Sequence, residues 1–453
     1  SNKEYQVIVT NNGGGYSKYR NRMVTRWRED LHGNYHGLAF YFKNLEDNDA
    51  WSAGFEPVCA ETEDYEARFS LEKAEFVQSR KGINIHMEIW VSPEDNVEVR
   101  RISIVNKKSR PVVIETTSYA EVSLNTQEAD VAHRAFSNLF VNTSFEHETE
   151  SLTATRNPRE ENDYPLHLFH SVSCEGQPFG NTQYETDRFK FIGRGRTLSN
   201  PAALEKVLDN SSGVVLDPIV SLRKSVRIDP TQKAVLTFAM GVTQKREELR
   251  GLVEKYKNPY MVRELSELAT IQAQVEAEYL DLSQEDLFLF QDMSSQILHL
   301  SPQKNRYERI IKRNSKGQDS LWPFGISGDD NILLASIKCS ERVTMLWRLL
   351  KAKEYWRLKG FSVDLVILNL EESGYFKDME DEIKNMTSRK FGYASDPKSM
   401  GVFILNSGKL SKEEISLLYA ASRMVIDCEL DSLEEQVSLN APVRELPAPL
   451  AYR

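Results

Sequence analysis

The densest set of chemistry-bearing side chains lies near the N-terminus. Asn11-Asn12-Gly13-Gly14-Gly15-Tyr16 is followed by Tyr19, Arg26, Trp27, Arg28, Asp30, His32 and Tyr35, with Trp51 shortly after. Flat aromatic faces stack a pyranose ring, and fork-shaped Arg, Asp and Asn groups bond its hydroxyls. These are the residue types of a sugar site, with Tyr16, Trp27, Arg28, Asp30 and Trp51 as candidate contacts. Three glycines after a strand permit positive φ and close backbone approach. They form no dinucleotide fingerprint, since the G-x-G-x-x-G spacing is missing, and no phosphate loop, since no Gly-Lys-Ser/Thr follows. The same residues also fit a tight turn with aromatics in a sandwich core, and both readings stand at this point.

A second cluster is Gln183-Tyr184-Glu185-Thr186-Asp187-Arg188, then Gly193-Arg194-Gly195-Arg196. Glu185 and Asp187 are two apart, so a strand would put them on one face. Paired carboxylates suit acid/base work on a glycosidic bond, but a solvated strand edge neutralised by Arg188 and Arg194 explains them as well. The third, Trp322-Pro323-Phe324-Gly325-Ile326-Ser327-Gly328-Asp329-Asp330, reads as a sharp turn in which Asp329 either caps the turn or binds a ligand, the turn alone sufficing to explain it. The eight histidines are scattered without metal-ligand spacing; His32 and His36 bracket a loop or strand rather than a helix. No nucleophile–base arrangement has recognisable spacing, so no catalytic residue, cofactor or metal is expected.

The elements that must position these groups change character along the chain. From Lys3 to about Val242 the pattern is β: Ile83, Ile85, Met87, Ile89 and Val91 alternate with polar residues, and Ser92–Asn96 and Asn106–Ser109 supply turn chemistry. So many short strands, with one weak helix over Ala202–Leu208, imply a large two-sheet antiparallel sandwich. Leu265, Leu268, Ile271, Val275 and Tyr279 then fall at helical spacing, and Gln284–Leu300 predicts a second helix. After Trp322, continuous apolar runs at Ile332–Ile337, Val363–Leu368 and Val402–Leu405 predict parallel strands covered on both faces. Helical segments at Glu341–Lys359 and Phe376–Met386 alternate with them, and a capping box, Ser411 with Glu414, opens the last helix. The expected architecture is multidomain β plus α/β: a sandwich over 3–245, a helical linker over 246–318, a three-layer α/β domain with parallel strands over 319–431, and an extended tail over 432–453.

Composition excludes several partners. The 57 Lys and Arg against 67 Asp and Glu leave a net charge of −10, which argues against nucleic acid or an anionic membrane surface. No apolar run approaches the ~18–20 residues needed to span a bilayer, so direct membrane insertion is not expected. Ser1-Asn2-Lys3 lacks the basic start and apolar run of a signal peptide. Cys59, Cys174, Cys339 and Cys428 lie far apart with no C-x-x-C pair, which reads as reduced thiols in a cytoplasmic setting.

At these same clusters the chain resembles the cellobiose-phosphorylase family (glycosyltransferase family 36, glycoside hydrolase family 94). The nearest likeness is to the segment of cyclic β-1,2-glucan synthases upstream of their catalytic barrel. The carrying residues are Asn12–Ser17, Val24–Asp30, Trp51–Gly54, Ala135–Val141, Gln183–Arg188 and Gly193–Arg196. The α/β part adds Leu321–Asp329, Glu354–Gly360 and Val363–Asn369, and departs at Asp330-Asn331, where those synthases read Leu-Pro. The resemblance implies a β-1,2-glucan-handling enzyme whose catalytic carboxylate lies in an (α/α)₆ barrel. The helical segments after Val242 are too few to close such a barrel. The expectation is therefore a non-catalytic segment, partnered by a β-glucan oligosaccharide and by the parent's barrel. A purely structural spacer is the alternative, and a self-contained glycosidase using Glu185 and Asp187 a more distant one.

Overall fold

The structure, a computed structural model, describes residues 1–28, 35–158, 164–299, 306–338, 343–370, 401–430 and 432–437. The chain divides into two compact units, Ser1–Gln274 and Val275–Arg453.

The first unit is built on two nine-stranded antiparallel sheets. At the centre of the first, Val112–Asn125 pairs with Pro218–Ile228, in register from Val112 opposite Ile228 to Glu121 opposite Ile219. Ala39–Asn44 pairs with one part of Val112–Asn125 and Arg22–Thr25 with the part nearer its C-terminus. The hairpin partner of Arg22–Thr25 is Gly15–Tyr19, which pairs in turn with Tyr5–Val9. The second sheet runs in the order Gly213–Val214, Val141–Glu146, Ser151–Arg156, Leu166–Glu175, Lys233–Thr243, Val97–Asn106, Ile83–Val91, Lys73–Arg80, Asp64–Phe69.

Alternation explains the closure. Ile83, Ile85, Met87 and Ile89 are buried while Asn84, His86 and Glu88 are only half so, which is the burial that a period-2 strand with one covered face dictates. One apolar core joins residues of both sheets, among them Ile114, Val122 and Leu222 with Ile102, Leu236 and Phe238. The opposite face of the second sheet is also covered. Trp90, Val99 and Phe169 pack there on Leu249, Val253 and Tyr256 of the helix Leu249–Lys257, and on Val262 and Leu265 of the next helix, Pro259–Leu280.

That longer helix differs from its sequence reading. Leu265 is buried as expected, but Leu268, Ile271, Val275 and Tyr279 are exposed, and Val262, Ala269, Ala273, Ala277 and Leu280 form the buried face. Small alanines permit a closer approach than the larger apolar residues, so the bulky stripe is left outward. The helix expected over Ala202–Leu208 reduces to a single 3₁₀ turn, Ala202–Leu204.

The second unit holds a four-stranded parallel sheet in the order Val402–Asn406, Val363–Asn369, Asn331–Ile337, Ser422–Asp427. All seven residues of Val363–Asn369 are buried, as expected of a strand covered on both faces. Ile332, Leu334, Val366 and Leu368 pack with Leu417 and Leu418 of the helix Lys412–Ala421, whose capping box forms between Ser411 and Glu414. On the helix Val343–Leu358, Trp356 is buried and its Nε1 donates to the Phe290 carbonyl of the helix Gln284–Leu298 at 3.0 Å. The tail expected to be extended from 432 opens instead with a short helix, Leu433–Val437, because Leu433 and Val437 find buried positions. The helix expected at Phe376–Met386 lies outside the described residues.

Candidate functional site

The glycine-rich segment is a backbone clasp. A Cβ on Gly15 would lie 1.9 Å from the Ile8 carbonyl oxygen, and one on Gly54 would lie 2.4 Å from that of Asn12. Glycine is thus required at both places by close approach, Gly15 additionally by its φ of +148°. The Tyr35 hydroxyl donates to the Gly13 carbonyl at 2.8 Å, and the Glu56 amide donates to that of Asn12 at 3.0 Å, locking the loop.

From this clasp the strand Gly15–Tyr19 presents Tyr16, and its partner strand Arg22–Thr25 leads through Arg26 to Trp27. Their ring centroids stand 5.2 Å apart at 54°, both rings half-buried. Burial pushes the Tyr16 hydroxyl up to about 12, so it remains a neutral donor. The Trp27 carbonyl accepts from Gln127 Nε2 at 2.9 Å, which fixes the backbone that carries the indole. Arg28 follows, half-buried, its Nε without a partner among the described residues. Asp30 lies outside the described residues, as does His32.

Trp51 is a correction to the expected site. It is 1% exposed, with its ring centroid 5.6 Å from that of Phe42 inside the sandwich core. The strand Asp49–Ser52 pairs with Ala39–Asn44, and the pairing of Trp51 opposite Phe42 turns the indole inward, leaving no free face for a sugar.

Behind Trp27 lies a charged network. Arg26 is 1% exposed; its Nε and Nη2 fork onto Asp130 at 2.9 and 3.0 Å, and its Nη1 donates to Glu121 at 2.9 Å. Arg26 Nη2 also donates to Asn138 Oδ1 at 2.7 Å. Glu121 further accepts from Arg188 at 2.7 Å, from Arg134 at 3.1 Å and from the Tyr119 hydroxyl at 3.0 Å. Burial alone would raise the Glu121 carboxyl, but Arg134, Arg26 and Arg188 overcome it and lower it to about 2. Asp217 accepts from Arg134 and Asn138, so Arg26, Arg134 and Arg188 are balanced by Glu121, Asp130 and Asp217. A network so balanced holds backbone segments together, and the arginines around Glu121 hold that carboxyl in its ionised form.

Three of the segments that carry the family resemblance meet here, through Arg26, Asn138 and Arg188. Sequence reasoning missed Glu121 and Asp130. The signal for the first was a charge set inside the apolar strand run Tyr119-Ala120-Glu121-Val122, which a buried strand tolerates only with a partner. Asp130 gave no comparable signal in its polar surroundings.

Glu185 and Asp187 do not pair. A register shift separates them on the strand Gln183–Asp187. Glu185 is buried and its Oε1 accepts from the amides of Thr186 and Asp187, both at 2.9 Å, and from the Ser211 hydroxyl. Asp187 caps the helix Arg188–Ile192, accepting from the Phe189 amide at 2.8 Å. Glu185 Oε1 and Asp187 Oδ1 thus accept from backbone amides, Glu185 Oε2 is buried without a partner among the described residues, and the register shift takes the two carboxylates off the shared strand face that a two-carboxylate site would use. Asp329 likewise serves its turn, its Oδ1 accepting from Gln318 Nε2 at 3.1 Å and its amide bonded to Ser327 Oγ at 3.1 Å. Glu75, His86 and Glu88 bring metal-ligand types together, but Lys73 Nζ lies 3.2 Å from Glu75 and 2.9 Å from Glu88 and already supplies the positive charge. Cys59, Cys174 and Cys428 form no disulfide among the described residues.

Two nine-stranded antiparallel sheets closed on one core, with an aromatic pair seated on an arginine network, define an oversized β-sandwich of the type that accompanies carbohydrate-processing enzymes. Residues 1–259 match the family model of the glycosyl hydrolase 94 supersandwich domain, and the chain belongs to that family. The cyclic beta-(1,2)-glucan synthase of Rhizobium meliloti is 30% identical over 441 residues, which cover 97% of this chain and 16% of that protein. The N,N'-diacetylchitobiose phosphorylase of Vibrio furnissii is 23% identical over 256 residues, covering 55% of this chain and 31% of that protein. The chain therefore spans well under half the length of the curated relatives it matches. Among solved structures, a bacterial glucoamylase complexed with acarbose aligns with a TM-score of 0.36 at 8% identity, covering 62% of this chain and 38% of that one.

Proposed function

We propose that this chain is a non-catalytic part of a β-glucan-processing glycosyltransferase or phosphorylase, whose sandwich binds or positions β-1,2-glucan for a catalytic barrel elsewhere in the parent protein. The observation that carries this reading is the half-buried Tyr16–Trp27 ring pair, a stacking surface whose Trp27 backbone is held by Gln127, followed in sequence by Arg28, whose buried Nε has no partner among the described residues. The arginines on Glu121, and the backbone amides bonded to Glu185 Oε1 and Asp187 Oδ1, support the non-catalytic part of this reading. The reading needs no cofactor. It sets the segment in the cytoplasm; no helix among the described residues is long and apolar enough to cross a membrane.

Titration calorimetry of the full chain with β-1,2-gluco-oligosaccharides tests the reading. Heat that disappears in Trp27→Ala supports it, and no heat with any such oligosaccharide sinks it. The burial of Trp51 favours a second reading, a structural spacer that positions other domains. It predicts that Trp27→Ala leaves the parent enzyme's affinity for glucan unchanged.

A further inference from the structure

The second unit carries a cleft that the sandwich reading does not use. It has a volume of about 420 Å³ and lies where Asn331–Ile337 and Ser422–Asp427 begin, at the N-terminal ends of two neighbouring parallel strands. Its polar lining includes Lys316, Gln318, Asp329, Asp330, Asn331 and Arg423. Two cations against two carboxylates leave a formal charge of zero, which suits a neutral polyol better than a phosphate or a nucleotide. Asp330 and Asn331 line it with carboxylate and amide groups of the kind that bond sugar hydroxyls, and the Asp330 carboxylate also interacts electrostatically with Lys353 and Asp364. Leu321, Ile332 and Leu417 add apolar surface to the lining. The size falls in the range of small-molecule sites, ~300–1,000 Å³.

An aromatic platform stands beside it. Trp322 is 63% exposed, although neighbouring Leu321 and Ile326 are buried and anchor the turn on both sides. Its Nε1 donates to the Ser327 carbonyl at 3.3 Å, and Gln318 Nε2 donates to that same oxygen at 3.0 Å. Gln318 lines the cleft and Trp322 does not, so the shared acceptor brings the Nε1 rim of an otherwise exposed indole near the cleft without placing it in the lining. An indole held outward in this way forgoes the stability that its burial would supply, which a stacking ligand returns.

We propose that this cleft, with Trp322 as its stacking face and Asp330 and Asn331 as hydroxyl-binding groups, is a second site for a neutral gluco-oligosaccharide. The site belongs to a different unit from the Tyr16–Trp27 face and stands whether or not that face binds sugar.

Titration of the full chain with β-1,2-glucotetraose, and separately with cellotetraose, tests it. At least one tetraose should bind, with affinity falling about tenfold or more in Trp322→Ala and also falling in Asp330→Ala, while glucose 1-phosphate gives no competing heat. Both substitutions are at exposed positions, so circular dichroism should match the unsubstituted chain. Binding that is lost in Trp27→Ala and kept in Trp322→Ala would overturn this proposal while supporting the sandwich reading. No heat with either tetraose, or tighter binding of glucose 1-phosphate, would also overturn it.

Discussion

Arg26 Nη1 stands 2.9 Å from Glu121 Oε2, and the same guanidinium forks onto Asp130 from its other side. Glu121 lies in the central strand Val112–Asn125, Asp130 in the helix Gln127–Ala132 just beyond it, and Arg26 directly before Trp27. The half-exposed indole is thereby fixed by a bond set made entirely below the surface. Positioning and contact are carried by adjacent residues.

Replacing Arg26 by alanine should be among the most damaging single changes in the sandwich. It strands Asp130, whose side chain is 3% exposed, and removes one of the three guanidinium groups on Glu121. Breaking a buried pair in this way costs about 3–5 kcal/mol. A urea midpoint for Arg26→Ala equal to that of the unsubstituted chain would show that the network adds nothing to stability.

The two tryptophans expected to act together should separate on truncation. Trp51→Ala empties a core position beside Phe42 and should lower stability by about 3–5 kcal/mol with no direct effect on ligand contacts. Trp27→Ala removes a half-buried ring and should cost about 1–2 kcal/mol, its effect falling on glucan binding instead. Paired urea denaturation and calorimetry on each variant distinguish the two; equal stability losses would contradict the assignment.

Gly15→Ala should fail for a reason of geometry rather than packing. The added methyl would meet the Ile8 carbonyl, a backbone atom paired across the first hairpin, and cannot be relieved by a rotamer change. Loss of the Tyr5–Val9 pairing should follow, read as fast amide exchange over those residues. Protection equal to the unsubstituted chain would refute the clasp.

How much of this was legible in the sequence depends on range. Local pattern sufficed for Ile83–Val91, for the Ser411–Glu414 capping box and for the parallel strands, because each rests on spacing within a few residues. The direction of Trp51 is set by the register with Phe42, a pairing that no local signal announces, so the sequence left both a sugar-facing and a core-facing indole open. The apolar stripe Leu268–Tyr279 was legible as helix, but alanine packing decided which face was covered. Glu185 and Asp187 shared a strand face only until the register shift between them. The Arg26 network joins residues more than ninety positions apart, so its members were visible singly and its assembly was not.

Acid should weaken the sandwich in two stages with the same sign. His170 is fully buried against Ser118, and burial lowers its imidazole to about 3 from 6.5. The unfolded chain therefore takes up a proton that the folded chain refuses, so stability is present above about pH 6.5 and falls as the pH drops toward 3, by about 1.4 kcal/mol per unit. Glu121, lowered to about 2 from 4.5, adds a second loss between those values: once the unfolded carboxyl is protonated, the folded one still resists. His167, also lowered by burial and by Arg246, acts in the direction of His170. Replacing His170 by Gln keeps a hydrogen-bonding partner for Ser118 and removes the largest of these histidine terms. Urea midpoints of His170→Gln should then change much less between about pH 7 and pH 5 than those of the unsubstituted chain. Identical pH slopes for the two proteins would mean that His170 is protonated in the fold and that its burial is not the source of acid sensitivity.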